Sequence, residues 1–505
     1  MRAGEAVRAA AWVAAAGMVA RHTAGAWQLS RTLTWLRHGR QAQETPLQSG
    51  RPPEVQVIVP VLREQGHVGA ALAWWRQTLP VFPGMTVTFV STAREEHERA
   101  LLSETVSRSG RLSASQFPQV AARDLNDLNR ARAATGGNLT VEAAEAILAR
   151  TPVTRDVIDE LLAAEDWPRI GHLTYPGLGR KAAQINYAAR SLGPYDYLAV
   201  YDIDSRPSRD VLTATYALLS SQPHGPPVVQ QHALHVAPHV APAAYPGRRL
   251  AHAFVRGSAT LQTVWTLRRE IPYARRYHHW IGRDGWTARA KAGLSQPVGH
   301  GLFLRQNVLT EVGGLPETTV LDDVPTGVRF TLRAIPTVSV PLVGAVPAPD
   351  SAAEVLAQTR RWFCSYLDYP ALMRAATQEG AGSVGQRCLI SAVAIYRGTA
   401  WLAAGPLTAV TLAAALAPRS APALRVTACA GVLLASTVPV LMLARARPGP
   451  MPARQIVRDS AELLAAYLLR SIGPWQALGA AVRGRHPTGT ASPAPKTHRR
   501  EGAPR

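Results

Sequence analysis

Cysteine is scarce in this chain of 505 residues: Cys364, Cys388 and Cys429 are the whole supply. They are scattered and show no C-x-x-C spacing, which argues against a disulfide framework and against a zinc site. Acid is short as well. Lys and Arg number 55 against 34 Asp and Glu, a formal net charge of +21. The excess is mostly arginine, densest at both ends and beside the apolar segments. Such a surface suits polyanions: nucleic acid, anionic lipid head groups or nucleotide phosphates. An aromatic RNA-binding signature and zinc-finger spacing are both missing, so nucleic acid is not the expected partner and anionic membrane lipids are. Residues 6–37 read as helical but lack an uncharged run of bilayer length. The longest, Ala9 to Ala20, falls short of the ~20 residues a span needs. It also lacks a small-residue cleavage site. Two readings stand side by side: a basic interfacial helix, or a peripheral helix packed on the main domain.

What is present is ample apolar material, 47% of the chain, enough for a large core and a membrane segment. Val55 to Pro60 is a β-branched run and reads as a buried strand, followed by a helix through Trp74 and Trp75. Thr86–Val90, His172–Tyr175, Tyr197–Tyr201, Val228–Gln231 and Val338–Val340 are further expected strands. A helix is expected from Lys181 to Leu192. Strands alternating with helices argue for a largely parallel α/β sheet. From Leu389 the composition changes. Gly398–Ala417 and Val426–Ala444 carry no charge and are close to bilayer length. A buried helical hairpin is the plain alternative, but two such runs near one end favour membrane insertion. Arginines flank both runs and only Arg419 and Arg425 lie between them. The positive-inside rule then puts both flanks, and the long N-terminal domain, in the cytoplasm. The expected organisation is a basic helix and linker at 1–52, a catalytic domain at 53–385 and two transmembrane helices at 386–447. An amphipathic helix at 448–482 follows, lying on the membrane surface or packed on the catalytic domain, then a disordered basic tail at 483–505.

Four short segments carry the chemistry. Asp202-Ile203-Asp204 follows an apolar strand, so its carboxylates sit at the carboxyl edge of a parallel sheet, where open α/β sheets bind ligands. Two such carboxylates can hold a divalent cation that in turn holds a diphosphate; an acidic turn would read the same way. Asp322-Asp323 stands behind Gly299-His300-Gly301 and Gly313-Gly314. An ionised carboxylate there could act as general base toward an attacking hydroxyl. The competing account is a helix N-terminus, which favours Asp, and both can hold at once. Gln358-Thr359-Arg360-Arg361-Trp362 lies on an expected helix; Arg361 could meet phosphate oxygens and Trp362 could floor a sugar, or the segment is a basic face with one buried Trp. His232, His235, His239, His278 and His279 read as packing or surface residues. His300 is the exception and could line an acceptor.

In order and spacing these segments resemble the membrane-bound family 2 glycosyltransferases, the group of the cellulose, chitin and hyaluronan synthases. The resemblance runs from about Glu54 to Ala480. Pro60-Val61-Leu62-Arg63-Glu64 resembles the opening P-x-x-x-E segment, and Gly179-Arg180-Lys181 with Asn186 the G-K…N segment. Gln358, Arg361 and Trp362 match Q-x-x-R-W, while Asp322-Asp323 stands where Glu-Asp is usual. The second strand departs from the family: it ends Val90-Ser91-Thr92, with Glu95 and Glu96 further on, where acidic base-contacting residues are usual. The resemblance implies a GT-A-type α/β nucleotide-binding sheet followed by C-terminal transmembrane helices. It implies transfer, with inversion, from a nucleotide-diphosphate sugar to a glycan or lipid-linked acceptor. Asp323 would be the catalytic base. Pro60, Glu64, Lys181, Asp202 and Arg361 would serve the donor, and His300, Asp322, Gln358 and Trp362 the acceptor. Asp204 and Asp202 would hold Mg²⁺ or Mn²⁺. A partner membrane protein for export is compatible with this. The alternative is an inactive relative serving as a membrane scaffold or polysaccharide sensor.

Overall fold

The computed structural model describes residues 2–41, 51–109, 112–113, 120, 122–221, 225–237, 246–319, 321–447 and 449–484. Most of the expected linker, and the tail from 485, lie outside them. The chain divides into two compact units. The smaller holds 51–206 and 303–317; the larger holds the N-terminal helix, 207–302 and the chain from 318 onward.

The smaller unit begins with β1 (Val55–Pro60), α2 (Gln65–Thr78) and β2 (Met85–Thr92), after α1 (Arg2–Gln41) of the larger unit. Four helices follow: α3 (Arg94–Arg108), α4 (Ala122–Ala134), α5 (Val141–Leu148) and α6 (Thr154–Ala164). Then come β3 (Ile170–Tyr175), α7 (Lys181–Ser191) and β4 (Tyr197–Val200). The strand order is β3-β2-β1-β4, with all these pairs parallel. Every residue of β1 is buried, the unbroken apolar pattern of a parallel strand covered on both faces. Register places Pro60 opposite Val90, and Ile58 opposite Val200, so the chain leaves β1, β2 and β4 along one edge. Trp75 packs edge-on to Tyr201, and Tyr201 edge-on to Phe303, behind that edge. The helices of 94–165 close a small core of their own around Val106, Leu128, Leu139 and Ile147.

The larger unit continues with α8 (Arg209–Leu219), β5 (Val228–Val236) and α9 (Pro246–Trp265). A π-helical turn over Thr266–Glu270 joins α9 to α10 (Ile271–Ile281), and α11 (Trp286–Ala292) follows. The chain then lays β6 (Leu302–Arg305) and α12 (Gln306–Glu311). Strand β6 lies beside β4; its four residues, framed by Gly301 and a helix, gave no strand signal in the sequence. Next come α13 (Asp323–Leu332), β7 (Thr337–Pro347), α14 (Ala352–Leu367) and α15 (Tyr369–Gln378). Strands β5 and β7 are parallel, with a register shift between Gln230 and His232.

The long apolar helices are α16 (Val384–Leu416) and α17 (Pro422–Ala446), both longer than the uncharged runs. Each is long and apolar enough to cross a membrane, and only 28% and 33% of their most apolar windows is buried in the molecule. Helix α1 is one continuous helix. It buries Ala15, Met18, His22, Leu29 and Leu36, a stripe at three- and four-residue steps, and packs on α17 and α16. The stretch read as one amphipathic helix is two, α18 (Ala453–Leu469) and α19 (Ile472–Val482). They pack on α9 and α14 respectively, so the packed alternative, not the surface one, describes their inner faces. At α9 and α18 the backbones touch: a Cβ on Gly257 would overlap the carbonyl oxygen of Glu462, whose carboxylate accepts from Arg256 Nε at 3.1 Å. Backbone cannot yield as a side-chain tip can, so Gly257→Val is expected to destabilise by about 1–3 kcal/mol, read as a lowered melting temperature in detergent while Gly66→Val, in open space, leaves it nearly unchanged.

Candidate active site

In the smaller unit the expected donor and metal residues gather along the strand ends. Asp202 follows β4, and its carbonyl accepts from Ser205 N at 2.9 Å, closing a tight turn that carries both Asp202 and Asp204. Lys181 opens α7, and its Nζ donates to Asp202 Oδ1 at 2.7 Å with both side chains partly exposed. The positive end of α7 faces the same edge. Arg206 donates to the Ser205 carbonyl at 2.9 Å; burial lowers its pKa, and the Asp204 charge opposes that shift. Pro60 closes β1 at this edge, and Glu64 caps α2, its backbone N–H donating to Thr154 Oγ1 at 3.2 Å. Two partly exposed carboxylates on one turn are hard oxygen donors of the kind Mg²⁺ and Mn²⁺ accept. Among the described residues no group of three metal-ligating side chains exists. The fit is therefore to an ion that takes its remaining ligands from phosphate and water.

Glu95 and Glu98 do other work. Glu95 accepts from the backbone N–H groups of Arg63 (2.6 Å) and Thr154 (2.9 Å); Glu98 pairs with Arg63 and Arg94. They hold the turn after β1, where Arg63 adopts a φ of 58°, a backbone region costly for a non-glycine residue. Asn186, from the G-K…N segment, is buried and clamps the loop at 314–317. Its Oδ1 accepts from Leu315 N–H at 2.8 Å, and its Nδ2 donates to the Leu315 carbonyl (2.8 Å) and Glu317 (2.7 Å). Gly314 has a φ of 79°, and a Cβ there would press on the Asn186 amide.

In the larger unit Asp322 is the residue before α13 and Asp323 its first. Asp322 accepts through its carbonyl from Thr326 Oγ1. Helix start and partly exposed carboxylate thus coincide, as both sequence readings allowed. Gln358, Arg361 and Trp362 stand at i, i+3 and i+4 on α14, one face of the helix; Arg361 is exposed and the other two half-buried. The adjacent stripe, Val355, Thr359 and Phe363, is buried, and Gly473 of α19 lets the backbones close in at Thr359. His300 sits in its glycine-framed loop, its carbonyl accepting from Gln230 Nε2 at 2.9 Å. Its ring lies near His232 and His235, whose pKa values fall to about 3 and about 4, through burial first and the His300 charge second. His232 bonds Ser339 Oγ at 3.1 Å, the packing role its sequence suggested.

Sequence reasoning missed Glu270, because nothing in the sequence marks a π turn, a feature common at functional sites. Glu270 Oε2 accepts from Thr266 Oγ1 across that turn at 2.8 Å. Burial pushes its carboxyl up to about 7; the Thr266 bond opposes this and the charge of Asp323 adds to it. Tyr366 and Tyr369 line the same region, their hydroxyl pKa values raised chiefly by burial, with a small addition from Asp323. A second acid thus lies within the field of Asp323 and stays protonated until near neutrality, so the two do not compete as anions at lower pH.

Residues 248–444 match the family model described as "Glycosyl transferase family group 2". The chain carries a family 2 glycosyltransferase domain and is a glycosyltransferase by class. The matched stretch takes in His300, Asp322, Asp323, Gln358, Arg361 and Trp362 and runs through α16 into α17; Asp202 and Asp204 precede it. Among curated proteins no sequence match is found. One similar solved structure is the mannosyltransferase PcManGT from Pyrobaculum calidifontis in complex with GDP-Man and Mn2+, 16% identical over 90% of this chain and 98% of that one, TM-score 0.41. Another is S. aureus TarS 1-349 in complex with UDP-GlcNAc, 9% identical over 86% and 92%, TM-score 0.33. Likeness at these scores decides nothing about activity.

Glu270 also sets a pH dependence. Its folded pKa exceeds the ordinary 4.5, so its contribution to stability is complete below about 4.5 and is lost as pH rises through about 7. The expected outcome is that the wild type loses melting temperature between pH 5 and pH 8 while Glu270→Gln loses less, so that the two curves converge or cross as pH rises; parallel curves would refute the assignment.

Proposed function

We propose that this chain is a membrane-bound inverting glycosyltransferase of the cellulose, chitin and hyaluronan synthase kind. It moves a sugar from a nucleotide-diphosphate donor to a glycan or lipid-linked acceptor. The observation that carries the reading is the family 2 match over a stretch holding both Asp322-Asp323 and Gln358, Arg361, Trp362. The membrane part rests on α16 and α17, which turn Ile395, Val410, Leu416, Val426 and Leu433 outward, with arginines at both flanks and a short loop between. The catalytic part is then cytoplasmic, and anionic lipids are partners by charge.

Asp202 and Asp204 would hold Mg²⁺ or Mn²⁺, which would offset the charge of the leaving diphosphate. Lys181 contacts the donor phosphates or orients Asp202; Pro60 and Glu64 shape the turn beside them. Asp323 takes the proton of the acceptor hydroxyl as its oxygen attacks the anomeric carbon. The bond from that carbon to the diphosphate oxygen breaks, the electron pair leaves with the nucleoside diphosphate, and attack from the opposite face inverts the centre. Arg361 steadies the diphosphate. Gln358, Trp362, Asp322 and His300 position the acceptor, Trp362 by its ring face.

The test is nucleoside-diphosphate release by detergent-solubilised enzyme over a panel of nucleotide sugars with Mn²⁺ or Mg²⁺ and acceptor-rich membranes. One donor is expected to turn over only with metal. Asp323→Asn is expected to lose about 10²–10⁴-fold in rate while donor binding by calorimetry is kept. Silence across the panel from folded protein would favour the inactive scaffold, and joint loss of binding and turnover would remove Asp323 from the base role.

A further inference from the structure

Four arginines of the larger unit converge without an acid among them. Arg21 comes from α1, Arg268 and Arg269 from the π turn, and Arg470 from the end of α18. With Trp265 and Tyr467 they line a cleft of ≈ 210 Å³ opening to solvent. Among the described residues no carboxylate oxygen lies within 4.0 Å of any of the four guanidinium groups. Glu462, the nearby acid on α18, pairs with Arg256 and Arg458 instead. Arg268 is only 6% exposed, and its Nη1 meets neutral groups, Tyr467 Oη at 3.1 Å and His22 Nδ1 at 3.3 Å. Arg269 lies over the Trp265 ring and donates to Tyr273 Oη at 3.2 Å. Arg470 lies against the rings of Trp265, Tyr467 and Trp401. The buried Nε–H groups of Arg268 and Arg470 have no partner at all.

Aromatic faces offset part of the cost of confining these charges, worth about 0.5–2 kcal/mol each. They do not neutralise a cluster of four, and each cation raises the cost of the next. That strain is visible: burial first, and then the neighbouring arginines, lower the pKa of Arg21, while that of Arg470 falls to about 10, through burial opposed by Tyr467 and reinforced by Arg21, Arg269 and Arg268. A protein holding only its own side chains gains nothing from such an arrangement, since a buried charge is ordinarily paired. Planar guanidinium forks with spare N–H groups match the oxygens of a phosphate two at a time. We infer that the cleft formed by Arg21, Arg268, Arg269 and Arg470 is a binding site for a phosphate group, separate from the donor carboxylates of the smaller unit. The phosphate could be free or could head a lipid. The cleft lies beside Trp401, at the charged end of α16, where a headgroup would sit if that helix enters a bilayer.

The full-length protein in detergent, without divalent cation, distinguishes the sources by calorimetry with pyrophosphate, short-chain phosphatidic acid and, as the neutral-headgroup control, short-chain phosphatidylcholine. At least one phosphate probe is expected to bind, and Arg470→Gln to weaken it by about tenfold or more, as loss of one charge-assisted contact requires. Arg470→Lys should fall between. Because a like charge is removed, the empty Arg470→Gln protein should melt no lower than the wild type, whereas a purely structural arginine would lower it. Phosphatidic acid binding without pyrophosphate binding assigns a lipid headgroup; pyrophosphate binding of equal strength assigns a free phosphate. No binding of either probe, or equal binding by Arg470→Gln, overturns the proposal. If Arg470→Gln does not fold, Arg269→Gln, whose Trp265 and Tyr273 contacts are half-exposed, carries the same comparison.

Discussion

The smaller unit depends on one buried amide. Asn186 ties α7 to a loop 129 residues further along the chain through three hydrogen bonds. The first residue of α7 is Lys181, and Lys181 fixes Asp202. Position of the acidic turn therefore rests on a helix that is itself held from behind. An aspartate or alanine at 186 would leave the backbone groups of Leu315 without partners in a buried place, a cost of about 1–3 kcal/mol for each group. The family's interest in an asparagine at this point thus has a mechanical account: it braces the lysine, and touches no ligand.

In the larger unit the organising problem is electrostatic. A single π turn presents Arg268, Arg269 and Glu270 in succession, the arginines toward a cationic cleft and the acid into the field of Asp323. Burial drives the two kinds of group in opposite senses, lowering the proton affinity of arginine and raising that of the carboxyl. The turn thus lets two neighbourhoods of different charge share five residues of backbone.

Strands β1 to β5 and β7 were legible because a parallel strand buried on both faces reads as an unbroken apolar run, as Val55–Pro60 does. Strand β6 was not, since four residues between a glycine and a helix give no periodicity to count. The apolar helices announced themselves by absence of charge, yet their true ends lie beyond that stretch: Arg387 and Arg397 sit inside α16. Helix α1 hid its buried stripe behind small residues, Ala14, Ala15 and Gly25, which weigh little in any hydrophobic pattern. The acidic pairs were readable because chemistry limits the residues that can do their work. Glu270 and the arginine cleft were not, because both arise from side chains brought together by folding, from positions as far apart as 21 and 470.

The π turn has one more consequence. An α-helix advances about 100° per residue, and a π turn accommodates one residue more than the regular helix would. Every position of α10 is therefore out of phase with α9 by that one residue. A single-residue deletion anywhere in Thr266–Glu270 would restore an ordinary helix and rotate all that follows by about a third of a turn. Such a deletion would swing Tyr277 out of its burial against the carbonyl of Ile335 while leaving composition and hydrophobicity almost untouched. Length, at this point of the chain, is as strict a requirement as residue identity.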